Sequence, residues 1–110
     1  MARNEEIRFM WLFVFFDLPV KTRKERREAS QFRSFLLKDG YLMIQWSVYA
    51  RICKGNEGVQ KHLSRTTKHL PARGHIRALQ VTDKQYSRMK ILLGNKKTSE
   101  EKAGEQLVLL

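Results

Sequence analysis

Hydrophobic positions in the N-terminal part of the chain change from a continuous apolar run to a helical stripe. Residues 7–16 are apolar on both alternating faces and rich in aromatic side chains, which is typical of a buried strand, and a nearby proline ends it. Thr22 and Glu25 form a capping box, in which each side chain can satisfy a backbone N–H at a helix start. The apolar stripe that follows, closed by Gly40, predicts a helix over residues 23–39.

The middle of the chain predicts two short strands, a second helix and a further strand. Residues 41–52 are β-rich but too long for one ordinary strand, so we expect a tight reversal near residues 45–47. A helix is expected to begin at Gly55 and to be stopped by Pro71, and residues 75–82 have the pattern of another strand. The resulting order, βαββαβ, is the ferredoxin-like arrangement of an α+β domain.

The C-terminal part predicts elements beyond the βαββαβ unit. Residues 83–93 carry a helical pattern, so the ferredoxin-like domain is expected to extend over residues 1–93. Residues 94–110 form a polar, glycine-flanked linker that ends in the apolar, strand-like segment QLVLL. This segment either packs on its own sheet or pairs with the exposed sheet edge of a neighbouring subunit. The predicted architecture is thus a single domain with an extra C-terminal helix and strand.

The chain is strongly basic, and this narrows the classes of partner. It has 110 residues, with 22 Lys and Arg residues against 11 Asp and Glu residues, and a formal net charge of +11. This length suits one domain. The charge excess favours a polyanionic partner, with nucleic acid ahead of an anionic membrane surface, and a basic but inert protein is the alternative.

Several classes of protein are disfavoured by the sequence. The single cysteine, Cys53, cannot form an internal disulfide or supply a zinc-finger ligand set, which fits a reducing compartment. The N-terminal residues do not resemble a signal peptide, and the apolar run is too short to cross a bilayer. We therefore expect a soluble cytoplasmic protein with no membrane contact.

Histidine and cysteine offer little for catalysis in this sequence. It contains no glycine-rich phosphate loop, no GxSxG and no HExxH. His62 and His69 are seven residues apart, and we expect them on one face of the second helix, as surface residues rather than metal ligands. Cys53 is either a thiol nucleophile or, as is more common, a small buried apolar side chain.

Asp17 is the most informative charged residue because it ends an otherwise uncharged apolar strand. It either bonds to backbone N–H groups of the following turn or belongs to a chemical site. Basic residues crowd the start of the next helix: Lys21, Arg23, Lys24, Arg26 and Arg27. Because helix N-termini prefer acidic side chains, this crowding is unfavourable unless an anion such as a nucleic-acid phosphate binds there.

A divalent cation is the cofactor that such a site would take. Mg²⁺ (or Mn²⁺) uses one or two carboxylates and completes its coordination with waters and substrate phosphates. One Asp17 is a poor metal site, whereas a two-fold homodimer that places both Asp17 carboxylates near its axis supplies a second ligand. Further basic residues are expected to make distributed nucleic-acid contacts: Arg33, Lys38, Arg65, Lys68, Arg73 and Arg77.

The ordered motifs FFDLP, D-G-Y and Q-W-S-V-Y resemble the CRISPR-associated Cas2 family, and the resemblance covers essentially the whole chain. VTDKQY and EQLVLL further resemble the branch found beside the type II effector Cas9. The resemblance implies a ferredoxin-like homodimer that bridges two Cas1 integrase dimers and contacts the DNA backbone during spacer acquisition. It also implies Mg²⁺-dependent endoribonuclease or DNase activity with Asp17 as the catalytic, metal-binding residue. The preceding position, often Tyr in relatives, is Phe16, which has no hydroxyl to orient a water or phosphate.

Two functions therefore stay open at the level of the sequence. The first is a structural subunit of an integrase complex that binds double-stranded DNA. The second is a free-standing metal-dependent nuclease, a class that includes toxin-like RNases of the same fold and for which single-stranded RNA is a candidate substrate. The charge excess is larger than a nuclease pocket needs, which favours the first.

Overall fold

The computed structural model describes residues 8–94, which form a four-stranded sheet with two long helices on one face. The elements are β1 (Phe9–Asp17), α1 (Arg23–Lys38), β2 (Leu42–Gln45), β3 (Val48–Lys54), α2 (Gly55–Thr67), β4 (His75–Thr82) and α3 (Asp83–Ser87). The sheet order is β2-β3-β1-β4, and all three strand pairs are antiparallel. This arrangement confirms the ferredoxin-like prediction.

The central strand β1 is apolar on both faces because each face contacts a separate cluster. Leu12 and Val14 pack with α1 and α2 in the main core. Trp11 and Phe13 lie on the opposite face, in a second apolar cluster. There, Tyr86 of α3 stacks on Trp11 with their ring centroids 3.9 Å apart. The continuous apolar run in the sequence therefore reflects a strand that is buried on both sides.

Helix α1 begins and ends where its sequence signals predict. Thr22 Oγ1 accepts a hydrogen bond from the Glu25 backbone N–H at 3.0 Å, and the Glu25 carboxylate accepts from the Thr22 N–H at 3.0 Å. These two bonds form the capping box. At the other end, Gly40 has φ +94°, a left-handed conformation that glycine adopts without strain.

The turn between β2 and β3 lies at residues 46–47, as predicted. Ser47, the second of the two connecting residues, has φ +68°, a left-handed conformation that usually falls to glycine or asparagine, and neither residue marks this turn in the sequence. Helix α2 begins at Gly55 as predicted but ends at Thr67. The helix thus stops before the predicted Pro71, and Leu70 lies beyond it and is half-exposed.

The third helix is shorter than the sequence predicts, and this corrects the expectation of a helix over residues 83–93. Helix α3 has five residues and ends at Ser87. Leu92 and Leu93 are almost fully exposed, so no apolar contact supports a longer helix, and short helices are marginal without such packing. The predicted linker and the QLVLL strand lie outside the described residues and stay predictions. No helix within residues 8–94 is long and apolar enough to span a membrane.

Candidate nucleic-acid interface beside a strand-end carboxylate

Asp17 is the last residue of β1 and its side chain is exposed. It lies opposite His75, the first residue of β4. Among residues 8–94, no side chain or backbone group forms a hydrogen bond or ion pair with the Asp17 carboxylate. The hypothesis that this side chain stabilises the following turn through backbone N–H groups is therefore wrong within the described chain. The carboxylate is available to a ligand.

Gly74 allows the loop before β4 to pack closely against the backbone at Asp17, a role that the sequence pattern did not reveal. Its φ is +117°, and a Cβ there would lie 2.8 Å from the Asp17 carbonyl oxygen and 2.7 Å from the Leu18 side chain. Only glycine permits this close approach of the loop before β4 to the end of β1. The available signal was a lone glycine directly before a predicted strand.

The basic residues at the start of α1 are all exposed, but they do not all have the same role. Arg26 Nη1 donates hydrogen bonds to the backbone carbonyls of Val20 at 3.1 Å and Lys21 at 3.0 Å. Arg26 therefore braces the loop between β1 and α1. None of the side-chain hydrogen bonds or ion pairs formed within residues 8–94 uses the charged groups of the other four: Lys21, Arg23, Lys24 and Arg27.

The two acidic residues in the first turns of α1 are bound to the backbone. The Glu25 carboxylate accepts hydrogen bonds from the N–H groups of Lys21 and Thr22, each at 3.0 Å. The hydrogen bond from Thr22 is the main reason that the pKa of Glu25 is lowered. Glu28 accepts a bond from the Ala72 N–H at 3.1 Å, which ties the loop before β4 to α1. These carboxylates therefore stabilise the fold rather than pairing with the free basic side chains.

The other predicted contact residues are dispersed by the fold. Arg73 Nη1 lies 3.7 Å from Glu25 Oε2, which adds an arginine to the basic group at the start of α1. Lys38 lies at the opposite end of α1. Arg77 belongs to β4, opposite Phe15, on the sheet face that the long helices do not cover. The structure thus brings together the residues around the β1–α1 loop and separates Lys38 and Arg77 from them.

Arg33 is half-buried between two aromatic rings. Its guanidinium carbon lies 3.6 Å from the centroid of the Trp46 ring and 4.8 Å from that of Phe16. Nη2 donates to Ser47 Oγ at 2.9 Å, and Nη1 is buried with no hydrogen-bond partner among the described residues. The Arg33 guanidinium therefore makes its contacts within the fold, unlike the free basic residues at the start of α1.

His62 is buried, so the prediction that it is a surface residue is wrong. Its Nδ1 lies 2.7 Å from Asp39 Oδ2, and Arg65 Nη1 donates to Asp39 Oδ1 at 3.0 Å. Arg51 Nη1 donates to the Asp39 carbonyl and lies 3.2 Å from His62 Nδ1. Burial, assisted by the Arg51 charge, lowers the pKa of His62. The cluster links the end of α1 to α2, and no local sequence pattern could reveal it because Asp39 and His62 are distant in sequence.

This cluster predicts a loss of stability on mild acidification. Because the pKa of His62 is lower in the folded state than its ordinary value of 6.5, the unfolded state binds more protons. The stabilising effect of a neutral His62 is therefore complete above about pH 6.5 and decreases as the pH falls toward the folded-state pKa. We expect His62→Gln to flatten the dependence of the unfolding free energy on pH between about 7.5 and 5.5.

The measurement is denaturant unfolding at a series of pH values. His75→Gln is the matched control, because His75 is exposed and belongs to no such cluster. It should retain the pH dependence of the wild-type protein. An unchanged pH dependence in His62→Gln would show that His62 does not link protonation to folding.

Cys53 is a buried apolar residue, as one of the two hypotheses for it predicts. It is a free cysteine with 3% of its surface exposed. Burial raises the pKa of its thiol, so the reactive thiolate is disfavoured at neutral pH. The alternative of a thiol nucleophile is not supported.

The residues around Asp17 fit only a sparse metal site. Within residues 8–94, no three His, Cys, Asp or Glu side chains are grouped closely enough to hold a metal ion. Mg²⁺ needs no such cage, because water and substrate phosphates complete its coordination. The exposed, unpaired Asp17 carboxylate fits that donor set as a single ligand.

The fold and this site define a small ferredoxin-like protein with a free carboxylate at a strand end and basic side chains at the adjoining helix start. The family model described as CRISPR associated protein Cas2 matches residues 10–89. The chain therefore belongs to the CRISPR-associated Cas2 family, as the motifs predicted.

Similar proteins extend this match over nearly the full chain. A protein of Flavobacterium psychrophilum, named CRISPR-associated endoribonuclease Cas2, is 44% identical over 108 residues, covering 98% of this chain and 94% of its own. A protein of Acidovorax ebreus with the same name is 46% identical over 101 residues, covering 92% and 99%. A third, from Campylobacter jejuni, is 46% identical over 89 residues, covering 81% and 62%.

Proposed function

We propose that this protein is the DNA-bridging subunit of a CRISPR integration complex. As a homodimer it joins two Cas1 dimers and holds double-stranded DNA by its backbone while a new spacer is integrated. The observation that carries this proposal is the group of exposed basic side chains at the start of α1, next to the end of β1. The acidic residues closest to them in α1 are engaged with backbone groups.

Binding at this group should depend on charge rather than on base sequence. Each lysine or arginine that neutralises a phosphate releases condensed counterions, so affinity falls steeply as salt rises. Phosphate contacts orient a duplex without reading its sequence, which suits the capture of foreign DNA of any sequence. The test is the salt dependence of duplex binding in variants that lack Arg23 and Arg27.

A homodimer is supported by the sheet face opposite α1 and α2. On that face α3 covers Trp11, whereas Leu79 of β4, which pairs with Phe13 in the sheet register, is 52% exposed. A two-fold interface would place this face against its own copy. Burial would contribute about 25 cal/mol for each Å² of apolar surface removed from water.

Leu79→Glu should convert this dimer into a monomer, because it places a charge in an apolar interface. The measurement is sedimentation velocity over a range of protein concentrations. Leu37→Glu is the matched control: Leu37 is 56% exposed but lies on α1, away from that face, and the variant should stay dimeric. A Leu79→Glu protein that sediments as the wild-type dimer would place the interface elsewhere.

A second candidate function is metal-dependent cleavage of nucleic acid, with single-stranded RNA as a candidate substrate. The exposed Asp17 carboxylate, which no described residue engages, favours it, and the similar proteins are named endoribonucleases. Bound Mg²⁺ (or Mn²⁺) would polarise a phosphoryl oxygen and neutralise developing charge. Asp17 would hold the ion, and Arg23 and Arg27 would orient the phosphodiester beside it.

A further inference from the structure

Trp46 presents one face of its indole ring to solvent while the other face is covered. Trp46 lies at the tip of the turn between β2 and β3, and its side chain is 72% exposed. The Arg33 guanidinium stacks on the ring at 3.6 Å and donates to Ser47 Oγ at 2.9 Å. This stacking fixes the ring and leaves its outer face free.

The turn that carries Trp46 is anchored to the end of β1. The Ser47 carbonyl accepts a hydrogen bond from the Phe16 N–H at 3.0 Å. Phe16 is the residue before Asp17, so the indole lies at the same end of the sheet as the strand-end carboxylate. Phe16 also packs edge-on against Phe32 of α1, with ring centroids 5.2 Å apart. Because Arg33, which stacks on the indole, belongs to α1, the indole is on the helix side of the sheet, away from the proposed dimer face.

The surroundings of Trp46 differ from those of an aromatic anchor in a protein interface. Such anchors lie inside a ring of contacts that exclude water. The adjoining Gln45 is polar and exposed, and the group stacked beneath the indole is a cation. An open aromatic face backed by positive charge matches a flat ring attached to a phosphate chain.

We propose that Trp46 is a stacking platform for an unpaired nucleobase beside the strand-end carboxylate. Bases within a duplex are already stacked on their neighbours, so the ligand is a single-stranded or frayed segment. Stacking is tolerant of sequence because every base has a π face. This inference rests on the proposed nucleic-acid binding. It adds that the nucleic acid bound at this end of the sheet is single-stranded or frayed.

The test is binding of short oligonucleotides to the full-length protein at fixed salt. The probes are oligothymidylate and oligouridylate of about twelve nucleotides, and an abasic oligomer that keeps the same phosphates. Trp46→Ala should raise the Kd for both base-containing probes by about 5-fold to 100-fold, and that for the abasic oligomer by less than about two-fold.

Two control variants and a fluorescence measurement separate stacking from general effects. Trp46→Phe keeps a ring and should retain most of the affinity, whereas Leu37→Ala removes another half-exposed apolar side chain and should change nothing. Trp11 is 1% exposed, so oligonucleotides should quench the fluorescence of the wild-type protein but not that of Trp46→Ala. The thermal midpoints of all variants are measured to confirm that they fold.

Two results would overturn the platform. One is equal weakening of the base-containing and abasic probes, or no weakening of either. The other is unchanged oligonucleotide binding together with lost association with Cas1, which would make Trp46 a protein-docking residue. Neither result bears on duplex binding, whose salt dependence in the arginine variants tests the proposed function separately.

Discussion

Replacing Arg23 and Arg27 together with Ala should raise the Kd for duplex DNA by about 30-fold at 0.15 M salt and reduce the salt slope by about two units. Each lost phosphate contact removes roughly 0.9 from the slope, which corresponds to about five-fold in affinity at this salt concentration. Both side chains are exposed and unpaired within residues 8–94, so the fold should not change. Arg26 is left intact because it braces the loop between β1 and α1.

The matched control removes the same charge at the other end of the sheet. Lys54 and Lys61 are exposed and lie near Phe9, where β1 begins. Replacing both with Ala should affect duplex binding far less than the arginine pair. Spacer integration with purified Cas1 should fall with duplex affinity in the arginine variant. If the arginine variant still integrates at the wild-type rate, the bridging proposal fails.

Asp17→Asn should lower any Mg²⁺-stimulated cleavage by at least about 100-fold, because a bound metal ion contributes several kcal/mol of transition-state stabilisation and the variant lacks the charge that would hold it. The substitution keeps the shape of the side chain and removes its charge. No described residue bonds to this carboxylate, so the unfolding free energy should change by no more than about 0.5 kcal/mol. The measurement is phosphodiester cleavage by the pure protein with and without Mg²⁺, together with sedimentation to check that the variant keeps the association state of the wild-type protein.

Glu57→Gln is the matched control for loss of an acidic charge. Glu57 is exposed in the first turn of α2, at the end of the sheet away from Asp17, and its substitution should leave cleavage unchanged. Cleavage at the wild-type rate in Asp17→Asn would exclude Asp17 as the metal ligand. Integration should be largely retained in that variant, because the bridging role needs phosphate contacts rather than a metal. Integration that requires Asp17 and tolerates loss of the arginines would favour the nuclease function instead.

The two experiments separate the two proposed functions, whose candidate residues flank the loop between β1 and α1. The free basic side chains and the free carboxylate flank the same loop, because β1 ends where the loop to α1 begins. Gly74 lets the loop before β4 pack against the end of β1, which supports the backbone that carries both groups. A defect in folding would impair both activities, whereas the specific variants should impair one each.

The sequence by itself determined the elements whose signals are local. The capping box, the glycine after α1 and the two-sided apolar run of β1 each depend on neighbouring residues, and the structure has them where they were predicted. The same holds for the position of Asp17 at a strand end before a basic helix start. The order of these elements was enough to predict the ferredoxin-like fold, because few topologies fit βαββαβ.

Only the tertiary structure decided which side chains that are far apart in the sequence are buried together or paired. His62 is buried against Asp39, and Arg33 is stacked beneath Trp46, although each sequence pattern alone indicated an exposed polar residue. Helix α3 is likewise shorter than predicted, because Leu92 and Leu93, which follow it, are almost fully exposed and do not support a longer helix. The physical reason is that burial and pairing depend on what packs across from a residue, and a linear pattern records only what lies beside it along the chain.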